Sequence, residues 1–94
     1  MEATEIFGNW LKKLKARRAK AIILNHIDYM EDGKMGNTKL VGRGVYEKKI
    51  GYGPGYRLYY CKRGANWILL LCGGDKSTQQ NDVSKALEIK KGLE

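Results

Sequence analysis

The fold this sequence predicts is an α+β domain: a helical hairpin packed on a twisted antiparallel sheet of three to four strands, with a short C-terminal helix. Three observations predict it. Apolar residues recur at helical spacing through the first third of the chain. The pattern then shifts to short aromatic and aliphatic runs separated by glycine-rich turns, and a last helical pattern closes the sequence. With 94 residues the chain fits a single domain, residues 1–94, because no second hydrophobic core could be built from what remains.

Taken in order, Phe7, Trp10, Leu11 and Leu14 form one apolar stripe over residues 5–16, with Lys12, Lys13 and Lys15 between them and Thr4 as the N-cap. A second stripe follows Arg17 and Arg18, built from Ala19, Ile23, Ile27 and Met30 and widened by Ile22 and Leu24. It must end near Glu31, since Asp32 to Asn37 is rich in turn formers. The strands are Val45 to Ile50, Tyr56 to Lys62 and Trp67 to Cys72, separated by residues 51–55 and 63–66. Gly73 and Gly74 end the third, and Ser77 with Gln80 resembles a capping box ahead of Val83, Ala86, Leu87 and Lys90.

Eighteen Lys and Arg against ten Asp and Glu leave a net charge of +8, which favours a polyanionic partner. Nucleic acid, a membrane surface and an acidic protein all meet that description, and excess charge also serves solubility. No apolar run approaches the ~20 residues that cross a bilayer, and Met1 to Glu5 lacks a signal core, so the expected location is cytoplasmic, with no membrane partner. Cys61 and Cys72 have no metal-ligand spacing and His26 is the lone histidine, so neither a metal nor a cofactor is expected.

Alternation places Tyr56, Leu58 and Tyr60 on one strand face, against the helices, and Arg57, Tyr59 and Cys61 on the other. A two-residue turn centred on Gly64-Ala65 would set Arg63 opposite Asn66, Arg57 opposite Cys72, Tyr59 opposite Leu70 and Cys61 opposite Ile68. The two cysteines would then lie ~13 Å apart at ~3.3 Å per residue, too far for a disulfide. Glu47 and Lys49 share a face of the preceding strand, while Tyr46, Lys48 and Ile50 take the other. Glu47, Lys49, Arg57 and Lys76 therefore converge on one surface. Three cations and a carboxylate suit phosphodiester chemistry on RNA, where a 2′-hydroxyl must lose a proton, a phosphorane must be neutralised and a leaving oxygen must gain a proton. Free lysine titrates near ~10.4, so the realistic form is a slow, substrate-assisted enzyme. From spacing alone, a solvated strand face is the favoured reading of the same charges. Tyr59 and Tyr52 are the candidates for stacking on bases, with Arg43 and Lys39 as further RNA-binding cations.

Three runs carry a resemblance over nearly the whole chain: Val41-Gly42-Arg43-Gly44-Val45-Tyr46-Glu47, Gly53-Pro54-Gly55-Tyr56-Arg57-Leu58-Tyr59-Tyr60 and Leu70-Leu71-Cys72-Gly73-Gly74-Asp75-Lys76-Ser77-Thr78-Gln79. With Phe7, Trp10, Leu11 and Leu14 upstream, they resemble the addiction-module killer branch of the RelE/ParE toxins, the HigB-like or phage Gp49-like proteins. That resemblance implies a RelE-like, microRNase-type fold and a type II toxin that cleaves mRNA on the ribosome as a metal-independent endoribonuclease. It also implies a cognate helix-turn-helix antitoxin, and contact with operator DNA only through that antitoxin. Position by position, Arg57 matches the arginine at the scissile phosphate, Lys49 a catalytic basic position on the preceding strand, and Lys76 lies close to a further basic position. Lys48 stands where an apolar residue is usual and Lys49 where arginine is usual. Two other readings share the fold: a toxin that binds a protein target such as DNA gyrase, and an inactive module that only holds an antitoxin.

Overall fold

The structure, a computed structural model, describes residues 1–64 and 67–93. The elements run β1 (Glu2–Ala3), α1 (Glu5–Lys13), α2 (Arg17–Glu31), β2 (Thr38–Gly42), β3 (Val45–Lys49), β4 (Arg57–Lys62) and β5 (Ile68–Gly74), then a 3-10 turn (Lys76–Thr78) and α3 (Gln79–Gly92). The α+β class follows the sequence expectation. The sheet, however, has five strands in the order β1-β5-β4-β3-β2, and it is mixed, because β1 pairs parallel to β5 while the rest is antiparallel.

The two extra strands are both at the edges. β2 carries no alternating apolar signal: Lys39 and Leu40 are both exposed, and the strand is held by its backbone ladder to β3, by Val41 against the core and by Thr38 bonded to the Tyr60 hydroxyl. A two-residue turn of Arg43 (φ 47) and Gly44 (φ 78) closes that hairpin, both residues in the left-handed region that matches strand twist. β1 is two residues long and is anchored by Thr4, whose amide donates to the Leu70 carbonyl at 2.9 Å. The Thr4 hydroxyl oxygen accepts from the Phe7 amide as the N-cap of α1 and donates to the Leu71 carbonyl, so one residue ties strand edge, helix start and central strand together.

α1 is shorter than expected, ending at Lys13, because Leu14 and Ala16 turn extended; Leu14 nonetheless stays packed on the core. α2 ends at Glu31 as its turn formers predict. The capping box falls on Asp75 and Thr78 rather than Ser77 and Gln80, two residues earlier, where it starts the 3-10 turn.

Both faces of the sheet are covered. Phe7, Ile23, Ile27 and Met30 bury one face with Ile50, Leu58, Tyr60 and Leu70; Ala86 with Val83 and Leu87 of α3 covers the other, over Val45, Tyr59, Cys61 and Leu71. Arg57, Tyr59 and Cys61 lie on the face away from the hairpin, as alternation places them, but that face is no solvated strand surface: α3 roofs it, which is why β4 and β5 read as near-continuous apolar runs. Both cysteines are buried free thiols, and burial pushes the Cys72 thiol up to about 12.

The β4–β5 register also differs. Cys61 opposes Leu69 and Tyr60 opposes Leu70, but Tyr59 opposes Cys72 and Arg57 opposes Gly74. Leu71 is the unpaired residue of a bulge, so Leu71 and Cys72 both face α3. The turn expected at Gly64-Ala65, with Asn66 opposite Arg63, involves residues 65 and 66, which lie outside the described residues; the Arg63 amide donates to the Trp67 carbonyl, one residue beyond the expected closure. The bulge hands Gly73 to the α1 face, where a Cβ would strike the Trp10 ring, and Gly74 to the α3 face, where it would strike the Asp82 carboxylate. The two glycines thus belong to the strand and exist for close packing, not for the approach of RNA backbone.

Lys48 is buried on the helix side, where it donates to the Met35 carbonyl at 2.7 Å, neither loosening the sheet nor reaching solvent. Burial lowers its ammonium below the ordinary value of 10.5, and His26 is lowered by burial and by Lys48.

Two substitutions separate packing from propensity. Gly73→Ala should lower stability by about 1–3 kcal/mol, since the aromatic wall must move. Gly8→Ala, inside α1 with open space around it, should raise it by about 0.5–1 kcal/mol; urea denaturation of both variants measures the contrast. Because the folded-state value of Lys48 is depressed, the unfolded chain binds more protons between that value and 10.5, so stability should rise with pH across that window. Lys48→Met should flatten the rise in urea midpoints measured at successive pH values.

Candidate functional site

Glu47 lies mid-strand in β3, opposite Lys39 of β2 and Tyr59 of β4, and the next pair on the same face is Lys49 with Arg57. Because Gly74 has no side chain, Thr78 and Asp82 reach across it, with the Thr78 hydroxyl donating to Asp82. That contact seats the start of α3 beside β4, and Gln79, its first residue, reaches Glu47. A cleft of ≈ 190 Å³ opens there, lined by Asn37, Lys39, Glu47, Lys49, Arg57 and Gln79.

Glu47 is 4 % exposed and saturated with donors. Its Oε2 accepts from the Tyr59 hydroxyl at 2.9 Å and from Gln79 Nε2 at 3.0 Å. Its Oε1 faces Lys39 Nζ at 3.7 Å and Arg57 Nε at 3.9 Å. Burial first, and then the Glu47 bond, push the Tyr59 hydroxyl far above its ordinary value, which keeps it a hydrogen-bond donor to Glu47.

Arg57 is equally buried, at 4 % exposure, and its guanidinium is incompletely satisfied. Nη1 donates to the Gly55 carbonyl at 2.8 Å, while Nε, 3.9 Å from the nearest carboxylate oxygen of Glu47, has no hydrogen-bond partner. A buried donor left unpaired costs about 1–3 kcal/mol, a cost that an anion entering the cleft would remove. The Gly53-Pro54-Gly55 turn holds this arrangement through its carbonyls, Gly55 accepting from Arg57 and Pro54 from the Lys76 amide at 3.3 Å.

Of the residues singled out from sequence, Lys39, Glu47, Lys49 and Arg57 line the cleft; Lys76 is not among its lining residues, and its Cβ lies beside Gly55, as Arg57 Nη1 does. Tyr59 does not serve as a stacking platform. It is wholly buried beneath α3, so no ring face is available to a base. Tyr52 packs against the helix-side core, and Arg43 caps the β2–β3 hairpin at the far end of β3 from Lys49. Asn37 and Gln79 were missed. Gln79 sits at the end of the Gly-Gly-Asp-Lys-Ser-Thr run, but only the bulge and the early capping box reveal that it turns towards Glu47. Among the described residues no three His, Cys, Asp or Glu side chains stand together as metal ligands.

Residues 9–92 match the family described as Phage derived protein Gp49-like (DUF891), and the chain belongs to that family. It is also 43% identical over 86 residues to an uncharacterized protein of Haemophilus influenzae, a match that spans 92% of this chain and 87% of that protein. No solved structure is matched.

The buried pair sets the mutational response. Glu47→Ala should cost about 3–5 kcal/mol, because it strands the Arg57 charge under α3. Tyr59→Phe, which leaves Gln79 on the carboxylate, should cost about 1.5–3 kcal/mol by thermal or urea unfolding.

Proposed function

We propose that this chain is the toxin of a type II toxin–antitoxin pair, acting as an mRNA endoribonuclease on the ribosome and neutralised by a helix-turn-helix antitoxin. The observation that carries the reading is Arg57: a buried, fixed guanidinium whose Nε has no acceptor, facing a cleft that Lys39 and Lys49 make strongly cationic. Membership of the Gp49-like family and the +8 charge of the chain support it.

In this reaction the ribose 2′-oxygen forms a bond to phosphorus while the bond from phosphorus to the 5′-oxygen breaks, leaving a 2′,3′-cyclic phosphate and a 5′-hydroxyl. Arg57 meets the non-bridging oxygens and offsets the charge of the phosphorane. The protonated Lys49 stands on the exposed side and supplies a proton to the departing 5′-oxygen. The 2′-hydroxyl proton passes to a phosphate oxygen, since Tyr59 is held protonated and Glu47 is occupied by four partners. Glu47 is a positioning residue: it holds Arg57 from below and is itself held by Tyr59 and Gln79. Lys76 adds charge beside Gly55.

Induction in cells without antitoxin, with mRNA 5′ ends mapped, should show cuts phased to codons. Lys49→Ala should reduce them by roughly 10²–10⁴-fold and Arg57→Ala by roughly 10²–10³-fold, each variant checked for folding by circular dichroism. Growth arrest with intact message and trapped gyrase–DNA complexes would reject the nuclease in favour of a gyrase poison, and the absence of any arrest would leave only an antitoxin-binding module.

A further inference from the structure

At the opposite end of β4 and β5 from the cleft lies a larger depression. Two contiguous hollows of ≈ 360 Å³ and ≈ 190 Å³ share Met30, Glu31, Trp67 and Ile68 as walls. Met35 closes one and Met1 the other, both half-buried, over a floor where the core residue Met30 lies almost wholly covered. Trp67 is 45 % exposed, and its indole N–H donates to Glu2 Oε1 at 2.8 Å, which fixes the ring as a standing wall rather than a loose side chain. Unbranched methionines beside an anchored tryptophan make a surface that adapts to an apolar side chain and holds it.

The charge here opposes that of the molecule. Glu31 and Asp32 line the groove and Glu2 borders it, where α2 ends with no basic residue in its last turn. The negative end of the helix dipole adds to the three carboxylates. Against them stand the α-amino group of Met1 and Lys62, whose ammonium sits over the Tyr46 ring at 5.2 Å. The groove is thus locally acidic on a chain of net charge +8, and phosphates are repelled from it.

We propose that this Met–Trp groove docks a segment of a protein partner that presents an apolar side chain beside an arginine or lysine. Its position leaves the cationic cleft free: Arg57 and Lys62 bound β4, ~17 Å apart at ~3.3 Å per residue. Partner and polyanion are held by opposite ends of the same strands, and the docking does not depend on whether the cleft cleaves RNA.

Two synthetic amphipathic helical peptides, identical except that one carries Leu with Arg and the other Leu with Glu, test this by calorimetric titration of the whole protein. A chain with this net charge attracts the acidic peptide non-specifically, so the expected result is the reverse: the Leu/Arg peptide binds at least tenfold more tightly. Trp67→Ala should weaken it at least tenfold, and Glu31→Lys with Asp32→Lys, both exposed positions, should invert the preference. Equal binding of both peptides, an unchanged affinity in Trp67→Ala, competition by a short RNA oligonucleotide, or a dimer in light scattering that Trp67→Ala dissolves would each overturn it.

Discussion

The carboxylate of Glu47 is the interaction on which the arrangement around the cleft depends. A charge taken out of water must recover its hydration from fixed partners, and Glu47 does so from four side chains on three elements: Lys39 of β2, Tyr59 and Arg57 of β4, and Gln79 of α3. Each partner is constrained in return. Tyr59 stays protonated, Gln79 pins the first turn of α3, and Arg57 is drawn to the floor of the cleft without being fully paired. Two carboxylate oxygens shared among so many donors leave one over, the Nε of Arg57, and the proposed reading of the cleft rests on that imbalance.

Covering both sheet faces made this possible in so small a chain. A sheet open on one side would leave Glu47 and Arg57 in water, where an ion pair of this kind contributes little and positions nothing. α3 withdraws them from solvent, and it can lie close because Gly74 yields the space that Asp82 and Thr78 occupy. On the other face Trp10 uses Gly73 in the same way and stacks edge-on to Tyr56 at 6.3 Å.

Much of this was legible in the chain. The helical stripes through Phe7 and Ile23, the cap at Thr4, the three inner strands and the shared face of Glu47, Lys49 and Arg57 all follow from periods of 3.6 and 2. What periodicity could not show has definite physical causes. Edge strands such as β2 pair on one side only and bury little, so beyond Val41 they leave almost no apolar trace in the side-chain pattern. A strand buried on both sides hides which face is which, and Tyr59 was accordingly assigned to solvent when its hydroxyl serves a buried carboxylate. The bulge at Leu71 shifts one half of a ladder against the other, so no single turn length describes the pairing of Arg57 and Cys61 together.

That bulge also bears on how the length of such a chain can change. Leu71 is opposed by no residue, so a copy of the gene lacking its codon would keep Tyr59 facing Cys72 and Arg57 facing Gly74, forfeiting one leucine from the layer under α3. Loss of a codon outside Leu71 and Cys72, the two residues of the bulge, would turn part of the strand over. Within β5, then, the spacing between the Trp67 groove and the Arg57 cleft is open to insertion and deletion at one place, and closed to it elsewhere.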